Sequence, residues 1–158
     1  MAVARSLEHA AWSRFLAAHR AQRPRHRKHD GRDRVLILAN DPMVRRWIEH
    51  ELFGESVSSN IVESLGDVVT SSMAYTPPWL QYLIVDLAEM RTEDVDLLAS
   101  IRNAGWPCVV IAIGDARNDA RDWLVFDEVL PRTFGNEMLR ATIRRIGRNR
   151  RTVQAYRS

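Results

Sequence analysis

Apolar positions along this chain fall into three successive patterns. Over the first twenty residues Val3, Leu7, Ala11, Phe15 and Ala18 recur at helical intervals, and Trp12 and Leu16 widen the stripe. That pattern predicts an amphipathic helix. Between Ala21 and Arg34 no apolar residue occurs, and Pro24 and Gly31 interrupt a run of cations, which reads as a solvated linker. From Val35 onward short apolar runs alternate with amphipathic segments. The runs "VLILA" (35–39), "NIVES" (60–64), "QYLIVD" (81–86), "CVVIAI" (108–113) and "DEVLP" (127–131) predict strands.

The segments between them predict helices. In "DPMVRRWIEHELF" Asp41 is placed to cap, Pro42 takes the first helical position, and Val44, Trp47, Ile48 and Leu52 share a face. "LGDVVTSSMAY" is a poorer helix with Val68, Val69 and Met73 inward, ended by Pro77 and Pro78. "EDVDLLASIRNAG" puts Val95, Leu98 and Ile101 inside and Gly105 at its carboxyl end. "ARNDARDWLVF" gives a short helix, and "GNEMLRATIRRIG" closes with Met138, Leu139, Thr142, Ile143 and Ile146 on one stripe.

Strands apolar on both faces, alternating with helices, describe an α/β protein with a doubly wound, five-stranded parallel sheet. The extra amphipathic helix precedes it. A site on such a sheet forms at the carboxyl ends of the strands, where Asp41, Asp86 and Asp115 would lie. The turn after the first strand reads "ANDPM", without the glycines that cradle a dinucleotide phosphate. The expected organisation is helix plus basic linker over 1–34, one α/β domain over 35–147 and a basic tail over 148–158.

Charge sharpens this division. Residues 1–34 hold nine Lys/Arg against three Asp/Glu, residues 35–143 eight against seventeen, and residues 144–158 six against none. Two basic arms flank an acidic body, an arrangement that points to a partner for the arms. The lone Cys108 excludes an intrachain disulfide, and no apolar run is long enough to span a bilayer. With no secretory pattern in the first twenty residues, a cytoplasmic protein with no membrane partner is expected. His9, His19, His26, His29 and His50 have no metal-ligand spacing, so neither an enzyme nor a metal centre is expected.

Three segments together resemble the receiver domain of bacterial response regulators, a flavodoxin-like fold. "RVLILANDPMVRRWIEHEL" is similar to the family's first strand and helix, "YLIVDLAEMRTEDVDLLASIR" to its phosphoacceptor strand and the helix after it, and "DEVLPRTFGNEMLRATIRRI" to its last strand and helix. The resemblance makes Asp86 the phosphoacceptor position. It places Ala39 and Asn40 where the family carries the acidic pair that holds Mg²⁺, with Asp41 one position beyond. Ala112 stands where the family has a Ser or Thr that binds the phosphoryl group. Arg132 replaces the family's lysine, keeping a cation but changing its reach. Val129 replaces the aromatic switch residue. The site is degenerate: its metal-binding pair and both switch side chains are gone.

The leading expectation is a pseudo-receiver: a signalling module that binds a protein partner, including a second copy of itself in a homodimer, without phosphorylation and without a cofactor. Asp86 would then persist because a carboxylate at a strand end accepts backbone N–H groups or pairs with Arg132. Trp123, Arg140 and Arg144 fall near the family's dimerisation face. There the tryptophan reads as core and the arginines as solvated. A second reading is a nucleic-acid-binding transcriptional regulator that uses the arms. Its contacts would come from Arg23, Arg25, Arg27, Lys28, Arg32, Arg144, Arg145 and Arg148, with salt-dependent and largely nonspecific binding. A third is a phosphorylatable regulator in which Asn40, Asp41 and Asp86 still hold Mg²⁺.

Overall fold

A computed structural model of the chain describes residues 32–72, 80–106, 108–114, 125–132 and 137–155. The expected amino-terminal helix and most of its linker, Met73, Asp115, the helix around Trp123, and the candidate contacts Arg23, Arg25, Arg27 and Lys28 lie outside the described residues. Within them five strands form one parallel sheet: β1 (Asp33–Leu38), β2 (Val57–Ile61), β3 (Gln81–Asp86), β4 (Val109–Ile113) and β5 (Glu128–Leu130), in the order β2-β1-β3-β4-β5. The described helices are α1 (Pro42–Leu52), α2 (Leu65–Ser72), α3 (Thr92–Asn103) and α4 (Met138–Ala155).

Alternation along the strands divides the core into two layers. Tyr82 and Ile84 face one side with Val35, Ile37, Ile111 and Ile113, packed under Val44 and Ile48 of α1 and Leu139 and Ile143 of α4. Leu83 and Val85 face the other with Leu36, Val110 and Ala112, packed under Val68 of α2 and Leu98 of α3. Each such buried aliphatic side chain contributes about 1.5–3 kcal/mol through removal from water. Cys108 belongs to the second layer and is 2% exposed, and burial pushes its thiol pKa up.

Local chemistry sets the helix ends. Pro42 fixes the first turn of α1, and Asp41 Oδ1 accepts from the amide of Met43 at 2.8 Å. Gly105 takes a φ of +92° at the end of α3, a conformation that favours glycine.

Three placements differ from expectation. β2 occupies 57–61 rather than 60–64, because an edge strand with one neighbour needs little apolar surface and "VSSNI" is mostly polar. Met138 is 38% exposed, whereas Leu139, Ile143 and Ile146 of α4 pack against the core. Most consequentially, α4 continues past Gly147 to Ala155, so residues 148–155 extend a helix that begins in the body. The buried stripe Leu139, Ile143, Gly147 gives way to the exposed Arg150 one turn later. No helix among the described residues is long and apolar enough to cross a membrane.

Candidate functional site at the carboxyl edge of the sheet

Strand order reverses between β1 and β3, and the crevice outside their carboxyl ends is where such sheets place their chemistry. Asp86, the last residue of β3, stands there, with Asp41 following β1 and Arg132 following β5. The Asp86 side chain has no solvent exposure. Its Oδ1 accepts from the amide of Ala88 at 3.1 Å, and its Oδ2 accepts from Arg132 Nη2 at 3.0 Å. The same nitrogen lies 3.0 Å from Asp41 Oδ2. One guanidinium NH₂ group, with two hydrogens to give, therefore bridges both carboxylates. Asp41 serves the helix cap with one oxygen and the bridge with the other.

Burial is the main cause that raises the Asp86 carboxyl above the usual range. The Ala88 amide and the Arg132 charge oppose it, while Glu89 and Asp41 add to it.

Glu89 is a site residue that the sequence reading missed. The turn after β3 folds back, with the amide of Glu89 donating to Asp86 O at 3.1 Å. Its carboxylate reaches over the loop between β1 and α1, where Oε2 accepts from the amide of Asn40 at 2.6 Å and Oε1 from that of Asp41 at 2.8 Å. Arg45 closes the same loop by donating from Nε to Ala39 O. Two loops 48 and 49 residues apart in sequence are thus tied by one carboxylate. Beneath the turn, Gly114 has a φ of +134°, and a Cβ there would come 3.1 Å from Leu87 Cβ. Glycine alone lets β4 end so close under this turn.

The remaining expected positions fall where the strands carry them. Ala112 is fully buried and pairs across the sheet with Val85 and Val129. It carries a methyl group, and Val129 an isopropyl group, at the two positions where the sequence resemblance expects a hydroxyl and an aromatic side chain. Asn40 is exposed and contributes its backbone N–H rather than an oxygen ligand. A divalent cation does not fit this arrangement. Ala39 supplies no carboxylate, the facing oxygens of Asp41 and Asp86 are occupied by Arg132, and no group of three metal-ligating side chains exists among the described residues.

The expected arginine contacts separate. Arg144 makes a two-point pair with Glu55, Nε to Oε2 at 3.1 Å and Nη2 to Oε1 at 2.6 Å. Arg145 pairs with Glu128 at the start of β5. Arg32 and Arg148 are exposed. Arg140, expected in solvent, is instead a seam between α1 and α4. Its Nε donates to Glu51 O at 2.9 Å, and its Nη2 donates to His50 O at 3.2 Å and Phe53 O at 3.4 Å. It also pairs with Glu55 at 3.4 Å. The guanidinium adds a donor to the carbonyls at the carboxyl end of α1, that of His50 being shared with the amide of Phe53 at 3.2 Å, and this outweighs its hydration.

An order 2-1-3-4-5 parallel sheet with helices on both faces and an aspartate ending β3 defines the receiver-like, flavodoxin-type fold. Among solved structures, the chain is similar to HP1043, an orphan response regulator of H. pylori, with a TM-score of 0.52 and 16% identity over 78% of this chain and 97% of that one. No protein-family model and no curated protein sequence matches the chain.

Proposed function

We propose that the chain is a pseudo-receiver: a regulatory module that acts by binding a protein partner, without an aspartyl-phosphate cycle. The observation that supports this most is the Arg132 bridge. Phosphoryl transfer to a carboxylate relies on positioned positive charge around the incoming group and a carboxylate oxygen open to attack. Here the oxygen of Asp86 that faces Arg132 is already bonded, and the cation is shared with Asp41. Glu89 adds a further negative charge near Asp86 and ties its turn to the loop after β1 through the amides of Asn40 and Asp41. Without the hydroxyl and aromatic side chains absent at Ala112 and Val129, a phosphoryl group has no route to the far surface of β5 and α4. The module therefore rests in one conformation, and what it presents is a fixed binding surface. That surface is assigned to the β5–α4 side, with a second copy of the chain as one partner and the cytoplasm as its place of action.

The test uses the full chain with Mg²⁺ and a small phosphoryl donor, read by intact mass, and with a beryllofluoride phosphoryl mimic, read by tryptophan fluorescence. The expected result is no mass gain and no spectral change. A stoichiometric phosphoryl adduct that disappears in Asp86→Ala would overturn the proposal and make the chain a phosphorylatable regulator.

A further inference from the structure

Two carboxylates at the carboxyl edge are aimed at one point by bonds to their own backbone. Asp86 Oδ1 accepts from the amide of Ala88 at 3.1 Å, and Asp41 Oδ1 from the amide of Met43 at 2.8 Å. Each carboxylate is left with its second oxygen to give, and both second oxygens lie 3.0 Å from Arg132 Nη2. The two amide bonds span only two residues each, so the aim of the oxygens is set locally and not by the arginine.

The charge around that point is uneven. Of the charges that act on Asp86, Arg132 supplies the positive one, while Glu89 and Asp41 supply negative ones. The oxygens of Glu89 are engaged by the amides of Asn40 and Asp41, so that residue contributes charge and no further ligand. Arg45, on the same loop, is drawn to Ala39 O and to Glu63. Asp86 has no side-chain exposure, and a carboxylate buried in this way needs a cation beside it.

We infer that Arg132 is a resident counterion: from within the chain it takes the place between Asp41 and Asp86 where a hydrated divalent cation would otherwise bind, and it makes the arrangement of this edge independent of such ions. The inference deepens the pseudo-receiver reading and rests on it for what the held arrangement serves. Through one nitrogen Arg132 joins the end of β3, the cap of α1 and the chain just past β5. A bound metal ion would come and go with its concentration, whereas a side chain is present at a fixed effective concentration. Mg²⁺ is held by one or two carboxylates and keeps water in the rest of its shell, so the two aimed oxygens suffice once the guanidinium is removed. No third ligating side chain joins them among the described residues, which makes the uncovered site a weak one.

The experiment follows thermal melting of the full chain in millimolar MgCl₂ and CaCl₂ against NaCl of equal ionic strength, at neutral pH and without a phosphoryl donor. Expected are a wild-type melting temperature that the divalent ions leave where NaCl leaves it, and an Arg132→Ala variant whose melting temperature they raise by about 2–5 °C. Adding Asp86→Asn to that variant should abolish the rise. Arg132→Met, which keeps an apolar stem, is titrated in parallel with Mn²⁺, bound and free ion being distinguished by electron paramagnetic resonance. This arm reads occupancy directly and decides the matter where the alanine variant melts too low to compare. It is expected to show about one ion bound per variant chain and no stoichiometric binding by wild type. Divalent stabilisation or stoichiometric Mn²⁺ binding of the wild-type chain would overturn the inference, as would variants without Arg132 that respond to divalent ions no more than wild type does. A phosphoryl adduct on a wild-type chain that ignores divalent ions would overturn the pseudo-receiver reading and leave the resident counterion in place.

Discussion

Arg132→Ala is expected to destabilise the fold by about 2–3 kcal/mol at neutral pH. Removing one member of a fully buried ion pair costs about 3–5 kcal/mol because it strands the other charge, and the one-third exposure of Arg132 reduces that figure. Asp86, with no exposure of its own, is the group left stranded. The effect must depend on pH, and the sign follows from the direction in which Asp86 is shifted. Its folded pKa lies above the unfolded value, so its contribution is favourable while it carries a proton and is lost as pH rises through the folded pKa. Without Arg132 that loss deepens. Chemical denaturation of the variant is therefore expected to show its largest deficit at neutral pH and a smaller one in acid, once Asp86 is protonated. Adding Asp86→Asn should recover most of the neutral-pH deficit, since no buried charge then remains unpaired. An equal deficit at both pH values, or no recovery in the double variant, would show that Arg132 acts through packing of its stem and not through charge.

Arg140→Ala is expected to cost about 2–3 kcal/mol, a large effect for a residue on an amphipathic helix. The side chain donates to the carbonyls of His50, Glu51 and Phe53 and pairs with Glu55. Hydrogen bonds from a charged donor are each worth about 1.5–3 kcal/mol, but the His50 and Phe53 contacts are solvent-accessible and recover much of theirs from water. Arg140→Lys should recover only part, because one ammonium cannot meet three carbonyls and a carboxylate at once. Melting curves of the three proteins provide the check. A loss below about 0.5 kcal/mol in the alanine variant would return Arg140 to the class of ordinary solvated surface cations.

These residues mark how far the fold and the site were legible in sequence. The central strands were plain, because a strand buried on both faces must be apolar at every position, as β3 and β4 are. Asp41 as a cap was plain too, since a cap needs only its own neighbours. β2 was displaced by three residues because an edge strand is under little hydrophobic selection, and the outer half of α4 looked like a tail because the buried stripe gives way to charge at Arg150. Arg140 was misplaced for a different reason. Nothing along α4 announces which carbonyls of α1 will arrive beside it.

Glu89 was hidden by distance in sequence. Its partners Asn40 and Asp41 become neighbours only when β1 and β3 pair in register, Leu38 against Val85. A signal was present all the same. In "DLAEM" a second carboxylate stands three residues past Asp86, in a turn that any sheet pairing these strands must fold over the loop after β1.

The burial of Cys108 makes the molecule its own gauge of opening. The chain carries a single thiol, it is 2% exposed, and its raised pKa leaves little of the reactive thiolate in the folded state. Alkylation of this one atom must wait for the start of β4 to come away from the layer under α3. Its rate thus reports, without any added label, how often the central sheet breathes.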